Sequence, residues 1–199
     1  MPNTLSFPTV ECTRSSRKRR APGVPRTYAG FAGALLVGAL LAAPVSAAEL
    51  HIDIELPEFA VSDYRRPYVA VWIERPDNSV AANLAVWYDV RMRNDEGTTW
   101  LKDMRLWWRR IGRELEVPID GVTSATRAPG THRLSFVAGN EPLGALEAGE
   151  YRVVVEASRE HGGREVVSVP IEWPPAGAWT AQVSGEHELG AVGVAMVPR

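Results

Sequence analysis

The chain has 199 residues, with 22 Lys and Arg against 24 Asp and Glu, a formal net charge of −2 and one cysteine, Cys12. Six of the basic residues and one acidic residue, Glu11, fall in the first 48 positions, which leaves 16 basic and 23 acidic residues in the remainder, net about −7. That balance argues against nucleic acid or an anionic membrane surface as partner, and with its cysteine confined to the first 48 residues the remainder has no disulfide, cysteine metal site, catalytic thiol or haem-attachment motif.

Residues 1–48 read as an export signal rather than as fold. Arg14, Arg17, Lys18, Arg19, Arg20 and Arg26 form a basic start, an apolar run from Tyr28 to Ala43 follows, and Pro44-Val45-Ser46-Ala47-Ala48 supplies the small residues of a cleavage site after Ala47 or Ala48. The apolar run falls short of the roughly 20 residues a spanning helix needs, so a cleaved signal is expected and no membrane span after it. Arg19-Arg20 is followed by Ala21-Pro22-Gly23, which departs from a twin-arginine signal, and no cysteine follows the apolar run as a lipoprotein would require. The expected organisation is a signal over 1–48 and a single domain over 49–199, long enough to bury a core without staples.

The remainder is patterned for strands. Leu50-His51-Ile52-Asp53-Ile54-Glu55-Leu56 alternates apolar and polar residues with period two. Tyr68 to Glu74 gives a second strand, ended by the turn chemistry of Pro76-Asp77-Asn78, and Asn83 to Val90 a third that pairs with it as a hairpin. From Asp95 to Ile111 the period changes. Trp100, Leu101, Met104, Trp107, Trp108 and Ile111 recur at spacings of three and four, which predicts one short helix laid over a sheet edge or a sandwich mouth. A loop from Pro118 to Gly130 follows, then strands at Thr131–Val137, Tyr151–Ser158, Arg164–Trp173 and Leu189–Val197, with a hairpin turn at His161-Gly162-Gly163-Arg164. Pro57 and Pro174-Pro175 mark loops or edges. Short strands separated by turns predict a mainly β fold, an immunoglobulin-like antiparallel β-sandwich with one short helix.

The loop carries the residues that point to chemistry. Asp120-Gly121-Val122-Thr123-Ser124-Ala125-Thr126 resembles the site at which bacterial flavin transferases attach FMN covalently to extracytosolic proteins, roughly Asp-x-x-Ser/Thr-Gly-Ala-Thr. The resemblance implies Thr126 as the acceptor, with Asp120, Thr123 and Ala125 in matching positions. Ser124 stands where the motif has glycine, a residue that reaches backbone angles a side chain forbids. Trp100, Trp107 and Trp108 offer faces for a flavin ring, and Arg127 or Arg133 a charge for its phosphate. The plainer reading keeps Asp120 as a turn residue accepting backbone N–H bonds and the tryptophans as core.

Other constellations carry less. His51, His132, His161 and His187 are scattered, and Glu186-His187-Glu188 reads as a surface cluster rather than a metal site. Asp103 with Arg105, Arg109 and Arg110 reads as a set of helix-face ion pairs. Ser158, Glu160 and His161 are sequence neighbours, which is not the arrangement of a nucleophile and its base.

The Tyr68–Trp72 strand, the Trp100–Asp103 and Trp107-Trp108 segment, the Asp120–Gly130 loop and Glu156–Gly162, in that order, resemble a family of predicted periplasmic proteins, domain of unknown function 2271. That resemblance implies an exported sandwich associated with flavin transferases and PepSY-type membrane proteins. It leaves two expectations for function: an FMN-bearing periplasmic electron carrier, or a cofactor-free immunoglobulin-like binding or accessory module. An electron carrier or accessory protein fits better than an enzyme.

Overall fold

The computed structural model describes residues 48–199; the expected export signal over 1–48, apart from Ala48, lies outside the described residues, as does Cys12. Two sheets carry the fold. Strands β1 (Ala48–Leu56), β5 (Gly130–Val137), β8 (Trp179–Ser184) and β9 (Ala191–Pro198) form a four-stranded sheet in the order β5-β1-β9-β8. Strands β2 (Tyr68–Glu74), β3 (Val80–Tyr88), β4 (Thr123–Ala125), β6 (Gly149–Ser158) and β7 (Arg164–Trp173) form a five-stranded one in the order β4-β3-β2-β6-β7. This is the mainly β sandwich the alternation predicts. One pairing departs from it: β4 runs parallel to β3, so the five-stranded sheet is mixed.

The two sheets are built from different patterns. Along β1 the apolar members Leu50, Ile52, Ile54 and Leu56 are buried while His51, Asp53 and Glu55 turn outward, as period two requires. β2 has no such outward face. Val69 to Ile73 are all buried, because Val69, Val71 and Ile73 enter the core between the sheets while Ala70 and Trp72 enter a second cluster on the far side. A strand covered on both faces reads as an unbroken apolar run.

That second cover is the helical segment. Leu101, Met104 and Trp107 pack with Trp72, Val86 and Val154 over the outer face of the five-stranded sheet. The single predicted helix is in fact broken. Two short helices, α1 (Glu96–Thr99) and α2 (Arg105–Arg110), are separated and flanked by 3-10 turns at 93–95, 100–103 and 112–114. Asn94 and Asp95 hold positive φ, and Met104 leaves the helical region at φ −76°, ψ 72°. Near the first break Gly97 comes so close to the Asp89 carbonyl that an added Cβ would stand 2.1 Å from it.

Glu156 fastens this cover to the sheet. Fully buried, it accepts hydrogen bonds from the backbone N–H groups of Leu106 (3.1 Å) and Trp107 (2.6 Å) and from Arg164 Nη1 (2.6 Å). The first N–H groups of α2 have no partner within the helix, so the carboxylate satisfies them and offsets the cost of its own burial. Trp107 in turn donates its indole N–H to Asn83 Oδ1 at 3.1 Å. The predicted ion pairs of the helix face are not formed as expected: Arg110 reaches across to Glu74 (3.5 Å), and among the described residues no ion pair joins Asp103 to Arg105 or Arg109.

Candidate functional site

A short ladder fixes the Asp120–Thr126 segment, part of the loop expected over Pro118–Gly130. Gly121 takes φ +72° in a turn closed by the N–H groups of Val122 and Thr123, both donating to the Ile119 carbonyl (3.2 and 2.9 Å). Thr123 Oγ1 accepts the Ile119 N–H at 2.9 Å. Thr123, Ser124 and Ala125 then pair with Val86, Trp87 and Tyr88, and the Thr126 N–H donates to the Tyr88 carbonyl at 3.1 Å. Val122 is buried beneath the segment. The hydroxyl of Thr123, rather than the carboxylate of Asp120, therefore holds the turn; Asp120 is exposed and forms no hydrogen bond among the described residues.

Ser124 does not take a glycine conformation. It is an ordinary β residue opposite Trp87, absent from the positions with positive φ.

Thr126 is half-buried in the wall of a cleft of about 450 Å³ at one end of the five-stranded sheet, where β2 begins and β3 and β6 end. Its Oγ1 makes no hydrogen bond with another described residue, which leaves the hydroxyl uncommitted. Trp100 and Met92 line the same cleft. At 44 % exposure Trp100 is the most exposed tryptophan described, and Met92, also in the lining, is exposed as well. Arg65, Arg66 and Arg91 also line the cleft, balanced by Asp89, Asp103 and Glu160. Arg65 is tied to Asp63 at 3.1 Å.

The strap between β1 and β2, residues 57–67, brings Tyr64, Arg65 and Arg66 to this place. It is held down by Arg159, whose guanidinium lies 4.4 Å over the Phe59 ring and 5.8 Å from that of Tyr64. The Tyr64 hydroxyl is buried without a hydrogen-bond partner, and burial pushes its pKa up. Burial also raises the pKa of Tyr68, whose hydroxyl donates to the Gly97 carbonyl at 3.1 Å. Both phenols are held in their neutral, donor-capable form.

The other sequence candidates fall elsewhere. Trp107 is core, and Trp108 packs against the same cluster, so of the three tryptophans only Trp100 lines the cleft. Arg133 is on β5 in the opposite sheet, bound to Asp53 by two hydrogen bonds of 2.8 and 2.7 Å. Arg127 stacks on Trp87 at 4.0 Å, and burial lowers its pKa. Glu186-His187-Glu188 is not a simple surface cluster: Glu188 is buried against Arg159, and the N–H groups of Glu186 through Leu189 all donate to the Glu165 carboxylate. Arg65, Arg66, Arg91 and Met92 gave no signal in the sequence, because five separate segments supply the cleft and only the fold brings them together.

A larger cleft of about 680 Å³ lies at the opposite end of the same sheet, between Tyr151, Arg152, Pro170 and the Pro174–Trp179 connection. None of the motif residues reaches it. The smaller cleft is the candidate site because it joins an uncommitted hydroxyl, an exposed indole and cationic side chains.

These features define a β-sandwich domain bearing a hydroxyl-walled cleft rimmed by aromatic and arginine side chains. The chain belongs to DUF2271, described as a predicted periplasmic protein, whose family model matches residues 49–191. No curated protein and no solved structure matches the chain significantly. Among the described residues no helix is long and apolar enough to cross a membrane.

Proposed function

We propose that this periplasmic protein carries FMN in phosphoester linkage to Thr126 and serves as an extracytosolic electron carrier. One observation supports the reading above the others: the motif's acceptor threonine opens, with its hydroxyl uncommitted, into the cleft that holds Trp100. A volume of about 450 Å³ is within the range of small-molecule sites, roughly 300–1,000 Å³.

The residues present fit the group. Trp100 and Met92 offer apolar surface for a planar ring, which accounts for an indole left 44 % exposed. Arg66 and Arg91 lie in the lining without an ion-pair partner among the described residues and can bind phosphate oxygens. The attachment is a transfer from FAD: the Thr126 oxygen bonds to the FMN phosphorus as its proton leaves, the pyrophosphate bond breaks, and AMP departs. A flavin transferase supplies that catalysis. The bound flavin supplies one- and two-electron chemistry, while the chain sets its exposure and surroundings. A PepSY-type membrane protein is the proposed electron partner.

Co-expression with a flavin transferase tests this. The intact mass should rise by one FMN moiety, remain so in Thr126→Ser, and fall to the bare polypeptide in Thr126→Ala. An unmodified wild-type mass rejects the proposal and leaves a cofactor-free accessory module.

A further inference from the structure

Two open sheets present four edges, and unpaired edge strands invite association unless the sequence protects them. Three of these edges carry protection. β4 is only three residues long and lies between Pro118 and Pro129. β5 presents Arg133 at its middle, exposed and tied to Asp53. β7 has Pro170 within the strand, which donates no N–H, together with Arg164, Glu165 and Glu172.

β8 has none of these devices. Its sequence, Trp179-Thr180-Ala181-Gln182-Val183-Ser184, contains no charge, no proline and no glycine. Among the described residues it pairs only with β9, in an unbroken antiparallel register from Trp179↔Met196 to Ser184↔Ala191. Thr180, Gln182 and Ser184 face solvent, while Trp179, Ala181 and Val183 pack against the core cluster.

We infer that β8 is the pairing edge of a two-fold dimer, in which β8 of a second copy adds antiparallel to it and joins the two four-stranded sheets into one of eight strands. The sequence of β8 favours this occupant because it is self-complementary. Core-facing residues must meet core-facing residues, so the two-fold axis passes through a residue and not between two. With the axis at Ala181, Trp179 opposes Val183 of the second copy and Thr180 opposes Gln182. The first is an aromatic–β-branched pair, the second an uncharged polar pair, and no like charges meet. The contact is isologous and closes on itself, so it yields a dimer rather than a fibre.

One strand pair buries less than a standard interface, so the dimer is expected to form in the micromolar range. Sedimentation equilibrium of the protein purified from the periplasm, up to on the order of 100 µM, reads it out. The wild type should move to twice the chain mass as concentration rises. The double variant Thr180→Lys/Gln182→Lys opposes lysine to lysine across the axis and should stay monomeric, with its circular dichroism unchanged because both positions are exposed. Mixing it with Thr180→Glu/Gln182→Glu should restore a dimer containing one of each. A wild type that remains monomeric overturns the inference, as does a lysine variant that dimerises like the wild type. So does a mixture of the two folded variants that shows no dimer.

Discussion

Arg159 and Glu188 meet in a buried two-point ion pair, Nε to Oε2 at 2.7 Å and Nη2 to Oε1 at 3.1 Å, at the junction of three segments. Arg159 comes from the turn after β6 and Glu188 from the turn before β9, and the guanidinium is stacked on Phe59 of the strap that delivers Arg65 and Arg66 to the cleft. Their side chains are 7 % and 4 % exposed. Removing one member of a pair buried this deeply strands the other charge, which costs about 3–5 kcal/mol. Glu188→Ala is therefore expected to lower stability by about that amount in urea denaturation. Arg159→Ala should do the same and also loosen the strap, seen as faster amide exchange over residues 57–67. A loss near the 0–1 kcal/mol of a surface pair would show that the junction is not organised in this way.

Gly97 is the second fixed point of the site. A Cβ there would stand 2.1 Å from the Asp89 carbonyl oxygen, and backbone on both sides leaves no flexible end to move. Gly97→Ala should destabilise by roughly 1–3 kcal/mol through overpacking, despite alanine's better helix propensity. Because Asp89 and Trp100 both line the cleft, the variant's tryptophan emission should shift as well. An unchanged melting curve would contradict the close approach.

The strands were legible in the sequence because their apolar residues repeat with the period of the element. β1 shows this most plainly, and the β2–β3 hairpin and the β6–β7 turn follow from their turn residues. β8 was missed although Trp179, Ala181 and Val183 alternate with polar residues, since six residues beside two prolines give a weak signal. β4 was invisible because three residues have no period, and its strand character comes from lying along β3. The helical segment was recognised by its spacing but not its breaks, and the start of α2 is bound by Glu156, which is distant in sequence. The same holds for the site. Thr126 and Trp100 are singled out by motif and composition, whereas Arg65, Arg66 and Arg91 reach the same cleft only through the strap and the β3 exit.

Ser124 gives a direct test of how far the motif's glycine matters. Since the residue is in extended backbone opposite Trp87, glycine is not needed for conformation and would only loosen the strand. Ser124→Gly should lower stability by roughly 0.5–1 kcal/mol. On co-expression with a flavin transferase, the fraction of modified protein should match the wild type by intact mass. A large rise in modification would place the glycine requirement in the transferase's approach to the segment rather than in its fold.

Glu165 governs how the turn before β9 responds to acid. Burial alone would raise its pKa, but N–H groups of Glu186, Leu189, His187 and Glu188 all donate to the carboxylate, and their combined effect holds it below the usual 4.5. A carboxyl whose folded pKa is depressed binds protons more readily when unfolded, so it contributes stability above the unfolded value. That contribution declines as pH falls below about 4.5 and through the lower folded pKa. Denaturant midpoints measured at pH steps from neutrality downward should therefore fall on the acid side, and Glu165→Gln should fall less steeply there while being less stable near neutrality. The effect should appear first in amide exchange of residues 186–189, because their N–H groups are the donors that protonation releases. Parallel acid limbs for the wild type and the variant would mean that the four donors do not depend on the carboxylate's charge.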